Sequence, residues 1–344
     1  VRSMDVLRRE LSFPNPAYRD AIQQGRTPAP GTPAFLQLFD DHDGLVTVPR
    51  HYRPALAGAV QEIQLYSVNR ADQPGFQAVT EPRDDLQVRA IEWLCRGGPA
   101  VTLDRRLMMK AGSGKTVVAL LAAVQSRISP VLVVVHEQAT MQQWVDRIAG
   151  HTSLAAHQVG AIQGGQFVYT EFPIAVAMMH TLALGLDRPE QQPRIEALQR
   201  WIRGGLVIFD ELDVYPAAKM RRCLEMFAAV RWGLTATYRH DGLQPTLELH
   251  LGPEEFREGS YDLKPRVVMV RVQCGAYVQQ YRNYTNLITQ LETGDRDFMG
   301  ALRRLCQEAM ERNRKTLLLL QRTEAIEAFG AWGKAQGWST GIIH

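Results

Sequence analysis

Cysteine is scarce: four in 344 residues, with Cys95, Cys223, Cys274 and Cys306 far apart. No Cys-x-x-Cys pair and no Cys/His cluster occurs. That spacing offers neither a zinc site nor a disulfide framework, and buried or idle thiols in a reducing compartment fit it better. Long apolar runs are missing too; none approaches the roughly 20 residues that cross a bilayer, and no secretory signal is visible. Charge of one sign does not dominate. A net charge of +3 permits nucleic-acid binding without arguing for it. Internal repeats and low-complexity tracts are absent, so no repeat array organises the chain. What is present is ordinary for a soluble globular protein of two or three domains: 45% hydrophobic and 22% charged residues.

Three zones separate along the chain. Residues 1–72 hold short apolar runs punctuated by proline, glycine and Asp-Gly signals, which predicts a small α+β domain with a hairpin at Asp43-Gly44. Residues 73–255 alternate strand-like and helix-like segments. The strands are "VLVVV" (131–135), "IAVAM" (174–178), "LVIF" (206–209) and "WGLTA" (232–236). Between them lie helix-like stretches, among them "KTVVALLAAVQSRI" and "AAKMRRCLEMFAAV". Short continuous apolar strands alternating with helices imply an α/β fold whose parallel sheet is covered on both faces. Residues 256–344 contain "RVVMVRV", a long helix-like "RDFMGALRRLCQEAMERNR", the strand-like "TLLLL" and a terminal "STGII". They read as the start of a second α/β domain. Neither Val1 nor His344 reads as a natural terminus, so a fragment is expected.

The stretch "AGSGKT" (111–116) opens a helix after a short apolar segment. Glycines 112 and 114 let the backbone curl so that its N–H groups converge on an anion, with Ala111 and Ser113 completing the loop. Lys115 would reach the β- and γ-phosphates of a nucleotide, and the Thr116 hydroxyl would take a Mg²⁺ position. The strict P-loop pattern has glycine where this chain has Met109, and Arg105 and Arg106 make the preceding segment a weak strand. A tight turn with an incidental lysine is the bland alternative.

"LVIFDELD" (206–213) is a buried strand that delivers three carboxylates at its carboxyl end, where open α/β sheets bind ligands. Asp210 would hold the Mg²⁺, and Glu211 would orient and polarise an attacking water. Alone, "DELD" reads equally as a solvated loop. "GLTATYRHDG" (233–242) follows another strand and offers the Thr235 and Thr237 hydroxyls beside those carboxylates.

P-loop, DExD and Thr-Ala-Thr in this order form the motif set of superfamily 2 helicases, and the chain resembles the XPB-like branch of DEAD/DEAH-type DNA helicases, of bacterial or phage type. Arg239, Asp241 and Gly242 are kept from that branch's pattern after the Thr-Ala-Thr, while its proline is missing and the spacing is one residue shorter. "VLVVVHEQATMQQW" ends in the expected Gln143-Trp144. The resemblance implies a RecA-like P-loop lobe, a small amino-terminal domain and the start of a second RecA-like lobe. It implies ATP and Mg²⁺ as cofactors, adenine recognition by Gln87 and a DNA-backbone contact at Thr181. It also implies coupling of nucleotide state to DNA grip through Asp213, Thr235 and Thr237. The expected function is an ATP-dependent DNA helicase or translocase in the cytoplasm of a bacterial or phage-infected cell, with DNA bound through its backbone and possible protein partners in repair, replication or defence. The family's late arginine motif does not follow Lys315, so weak hydrolysis is expected from these residues.

Two other readings stay open: a double-strand translocase in a restriction or defence complex, and a nucleotide-gated DNA-binding scaffold whose ATPase has decayed. A small-molecule kinase has no use for "DELD" followed by "GLTAT". Trp93, Trp144, Trp201 and Trp232 read as core groups rather than base-stacking platforms. Arg303, Arg304, Arg312, Arg314 and Lys315 read as a solvated helix face.

Overall fold

Val131–Val135 is five buried apolar residues in a row. They divide between two cores: Val131, Val133 and Val135 join one, Leu132 and Val134 the other. Successive strand side chains point to opposite faces, so this segment lies in a sheet covered on both sides. Full burial of each such side chain is worth about 1.5–3 kcal/mol.

The structure is a computed structural model, and it describes residues 2–42, 45–52, 67–71, 75–97, 103–215, 221–237, 241–258, 269 and 284–342. It divides into two compact units, Val1–Asp262 and Leu263–His344.

The first unit opens with α1 (Arg2–Glu10), β1 (Ser12–Pro14), α2 (Pro16–Gln23), β2 (Phe35–Gln37), β3 (Asp40–His42) and β4 (Leu45–Thr47). β1 pairs antiparallel with β2, and β3 with β4. The expected hairpin is therefore present as paired strands, while Asp43 and Gly44 lie outside the described residues. Asn15 starts α2 by accepting from the Ala17 N–H at 3.1 Å, with Pro16 fixing the first helical residue. Leu7, Leu11, Leu38, Phe39 and Tyr52 form a small core of their own.

The rest of this unit runs α3 (Asp85–Cys95), β5 (Arg105–Met108), α4 (Lys115–Ser126), β6 (Val131–Val135), α5 (Gln138–His151), β7 (Gly160–Gln163), β8 (Gln166–Val168), β9 (Ile174–Met178), α6 (Met179–Gly185), α7 (Gln192–Ile202), β10 (Leu206–Phe209), α8 (Arg222–Glu225), β11 (Val230–Thr235), α9 (Gln244–Leu251) and β12 (Glu255–Arg257). Eight strands form one sheet in the order β12-β5-β11-β10-β6-β9-β7-β8, parallel except for the β7–β8 pair. This is the parallel sheet covered on both faces that the alternation implies. Its strand order sets up the site: β11 lies between β5 and β10, so the ends of three motif-bearing strands meet.

Two local expectations need correcting. β5 is not a marginal strand, because both of its arginines are buried and donate to carbonyls. Arg105 donates to the Asp104 and Arg96 carbonyls, and Arg106 to those of Gly252 and Pro253. The helix expected over 217–230 is reduced among the described residues to Arg222–Glu225, since the chain must extend to enter β11 at Val230; residues 216–220 lie outside the description.

The second unit contains α10 (Tyr284–Thr293), α11 (Arg296–Glu311) and α12 (Thr323–Ala335). Asp295 caps α11 by accepting from the Phe298 N–H at 2.7 Å. Glu292 accepts from the Gln321 and Arg322 N–H groups just before α12. "TLLLL" is not a strand, and Leu317 and Leu319 are about 80% exposed. A strand needs a neighbour to receive its N–H and C=O groups, and no strand occurs among the described residues of this unit. Residues 339–342 likewise carry no strand, and of "RVVMVRV" only Met269 is described.

Candidate functional site

After β5 the chain turns sharply through Gly112 and Gly114, with φ of +77° and +89°. Side-chain-bearing residues adopt this left-handed region at a cost, which is why glycine stands at both positions. At Gly114 a Cβ would also come within 2.5 Å of Gln87 Nε2. Ser113 closes the turn: its N–H and hydroxyl both donate to the Lys110 carbonyl, at 3.2 and 2.7 Å. α4 then starts at Lys115, and its first N–H groups and dipole face an incoming anion. Lys115 Nζ donates to the Met109 carbonyl at 3.3 Å. Met109, where the strict pattern has glycine, has its side chain wholly in the core and its N–H on the Thr235 carbonyl at 3.1 Å. It continues the β5–β11 ladder, so its bulk never enters the turn.

β10 ends at the same height. Asp210 is fixed from three sides. Its N–H donates to the Val134 carbonyl at 3.0 Å, Oδ1 accepts from the Glu211 N–H at 3.0 Å, and Oδ2 accepts from Trp144 Nε1 at 2.7 Å. Glu211 has φ of +48°, a strained setting of a kind that gathers at functional sites. Burial raises the Glu211 pKa above the ordinary carboxylate range. Asp210 and Asp213 add to that rise, while Lys115 and His136 oppose it. Asp213 accepts from the Thr235 hydroxyl through Oδ1 and from the Thr237 hydroxyl through Oδ2, each at 3.3 Å. The Thr237 N–H donates back to Thr235 Oγ1 at 3.2 Å.

A cleft of about 520 Å³ gathers Gln87, Gly112, Gly114, Lys115, Thr116, Asp210 and Glu211 along one wall. Ala111 is exposed on the turn, and Ser113 is buried with its polar groups turned to the loop. Asp213, Thr235 and Thr237 form an adjoining cluster rather than part of the wall. Thr181 stands apart on α6, its hydroxyl accepting from the Gly164 N–H at 2.8 Å. Gln87 is buried, with Oε1 accepting from the Arg83 N–H at 2.8 Å and Nε2 donating to the Ser113 carbonyl at 2.9 Å. Arg239 lies outside the described residues.

Thr116 and Asp210 supply a hydroxyl and a carboxylate to one cleft, the hard oxygen donors that suit a small divalent cation bound mainly through a ligand's phosphates. No group of three or more His, Cys, Asp or Glu able to cage a metal occurs among the described residues. No helix among them is long and apolar enough to cross a membrane.

α5 also contributes to the lining. Thr140, Gln143, Trp144, Arg147 and His151 all line the cleft. Their spacing follows one helical face, and Trp144 is at the same time the core residue that the sequence predicts.

Residues 85–240 match the family described as "Type III restriction enzyme, res subunit". Over this part of its length the chain is similar to the XPB-like helicases of superfamily 2. It is 26% identical over 191 residues to the "DNA 3'-5' helicase XPB" of Kineococcus radiotolerans, covering 55% of this chain and 32% of that protein. It is 28% identical over 196 residues to the "General transcription and DNA repair factor IIH helicase/translocase subunit XPB" of Encephalitozoon cuniculi, covering 54% of this chain and 29% of that one. The chain thus spans about a third of the length of the curated relatives it matches. Among solved structures, the Pyrococcus furiosus Hef helicase domain aligns with a TM-score of 0.42 at 16% identity, over 74% of this chain and 53% of that one.

Proposed function

We propose that this chain is the nucleotide-binding part of an ATP-dependent DNA helicase or translocase, with ATP and Mg²⁺ held in the 520 Å³ cleft. One observation carries the reading: Lys115, Thr116, Asp210 and Glu211, from two motifs nearly a hundred residues apart, line a single cleft beside the Asp213–Thr235–Thr237 cluster.

Each residue has a task in this reading. The curled backbone at 112–114 and the start of α4 hold the β-phosphate. Lys115 exchanges the Met109 carbonyl for phosphate oxygens. Thr116 and Asp210 would hold the magnesium ion, which when bound would supply charge neutralisation for phosphoryl transfer. Glu211, carboxylate in its working form, orients a water and receives its proton. Gln87 keeps one N–H and one acceptor lone pair beyond its present bonds, and these suit the edge of an adenine. Because Met109 is bonded to Thr235, and Thr235 shares Asp213 with Thr237, movement of the phosphate turn is felt at the end of β11. Thr181 sits on the next helix along the sheet as the DNA-backbone contact. Residues 1–72, 73–255 and 256–344 serve as accessory domain, first lobe and linker with part of a second lobe. DNA is gripped through its phosphates, without sequence preference, in the cytoplasm and alongside protein partners.

The test is binding of a fluorescent ATP analogue with Mg²⁺ to this chain and to Lys115→Ala, with turnover followed with and without DNA. Binding lost in the variant supports the reading. Equal binding by both proteins sinks it, and no binding by either moves the scaffold reading to the front. The restriction-enzyme family match favours a second version, a double-strand translocase that moves without separating strands. Triplex displacement without strand displacement by the full-length protein would establish it.

A further inference from the structure

The indole of Trp144 is buried, with 1% of its surface exposed, and donates to Asp210 Oδ2 at 2.7 Å across 66 residues of sequence. An indole N–H is a donor only and would cost free energy if buried without an acceptor. It has chosen the one carboxylate that the proposed function assigns to the metal. The other oxygen of that carboxylate, Oδ1, is held by the Glu211 N–H at 3.0 Å. Asp210 therefore has no rotameric freedom of its own: α5 holds one oxygen and its own loop the other. Core packing alone would not put a hydrogen bond there, since Phe fills an apolar layer equally well. Trp144 also lines the nucleotide cleft, on the face of α5 that carries Gln143 and Arg147.

We propose that Trp144 is a positioning residue for Asp210: its N–H fixes the carboxylate so that cation binding is ready-made, and it ties α5 to cation occupancy of the site. The inference rests on the nucleotide-binding reading above. Partners that orient a metal-binding group from outside typically account for 10–100-fold in metal affinity, because they remove the cost of ordering the ligand at the moment of binding. A hydrogen bond on Oδ2 also makes the indole a local reporter, since charge arriving at Asp210 changes the polarisation of the N–H.

The experiment titrates MgCl₂ into full-chain protein held with a fluorescent ADP analogue, comparing wild type with Trp144→Phe. The expected result is a Mg²⁺ midpoint about 10-fold higher in the variant, a loss well beyond any change in nucleotide affinity measured in EDTA. An unchanged midpoint overturns the proposal. Equal loss of affinity with and without Mg²⁺ also overturns it, because that is what mere support of the fold produces. Should Trp144→Phe not fold, the wild type decides. Of its six indole ¹⁵N–¹H resonances, the one moved by Asp210→Asn must shift when Mg²⁺ is added at saturating nucleotide. No shift rejects the idea. Wild-type protein that binds no nucleotide in either condition removes the proposed function and this inference together. A wild type that binds nucleotide, with Trp144→Phe matching its Mg²⁺ response, removes only the inference.

Discussion

Arg50 Nη1 lies 3.0 Å from Asp104 Oδ2, joining the small amino-terminal part of the first unit to the foot of β5. Asp104 is wholly buried, and it also takes His51 Nε2 at 2.9 Å and the Arg231 N–H at 2.8 Å. Arg50 completes its own bonding with the Ala229 and Phe227 carbonyls. β5 and β11 therefore begin from one shared carboxylate, and both run towards the phosphate turn at their other ends. Removing one member of a buried pair leaves the other charge uncompensated and costs about 3–5 kcal/mol. Asp104→Ala should lose that much in urea denaturation, and a loss under about 1 kcal/mol, the usual worth of an exposed ion pair, would show the network to be ornamental.

Glu211 gives a pH signature. Its raised pKa, caused first by burial and then by Asp210, means the carboxylate needed to accept a proton is lost at higher pH than for an ordinary glutamate. Turnover should fall on the acid side along a limb set above the ordinary glutamate value of 4.5. Glu211→Gln should keep nucleotide binding and lose about 10²–10⁴-fold in turnover. The linkage has a definite sign. A raised folded pKa favours the folded state most below the unfolded value, and that benefit disappears as pH rises through the folded one. Glu211→Gln should thus be more stable than wild type at neutral pH, with the gap closing as the solution is acidified. A constant gap across that range would contradict the assignment.

The division between what was legible and what was not follows the range of the interactions. The phosphate turn is read from local chemistry, since Gly112 and Gly114 are needed by their own φ values. The central strands are equally local, because unbroken apolar runs have few alternatives. β5 escaped that logic: Arg106 is neutralised by carbonyls and a carboxylate from residues 252–255, which no window around position 106 contains. Trp144 packs in the core as the sequence implies, but its bond to Asp210, 66 positions away, lies beyond any local window. "TLLLL" failed in the opposite direction. Its composition satisfies every local rule for a strand, but strand formation is settled by a neighbour, which local composition does not supply.

Under the proposed function, the Asp213 cluster couples the nucleotide site to DNA without binding the nucleotide itself. Asp213 takes one hydroxyl on each oxygen, so replacing it frees both Thr235 and Thr237. Each lost bond is worth about 0.5–1.5 kcal/mol, too little to unfold the lobe but enough to loosen the end of β11. Asp213→Ala is expected to retain nucleotide affinity and basal turnover while losing most of the stimulation by DNA. Binding and turnover are measured on the same samples, and stimulation that survives intact would take the coupling role away from this cluster.

His250 supplies an independent test of the lobe's acid sensitivity. The ring is fully buried and neither nitrogen has a hydrogen-bond partner. Burial first, then Arg231, Arg221 and His51, holds its pKa well below the ordinary 6.5. Its Nε2 approaches Glu225 Oε1 at 3.5 Å, but a neutral ring makes that a contact and not an ion pair. Burial also raises the Glu225 pKa, which further weakens any attraction. Below pH 6.5 the unfolded chain binds a proton at this histidine that the folded chain refuses, so stability falls with pH by up to about 1.4 kcal/mol per unit. His250→Leu removes that proton from the balance and relieves two unpaired nitrogens. Its advantage over wild type should therefore widen steadily as pH drops from 7 towards 5 in denaturant titrations. Parallel stability curves would mean that His250 takes up its proton in the folded state, which its fully buried setting forbids.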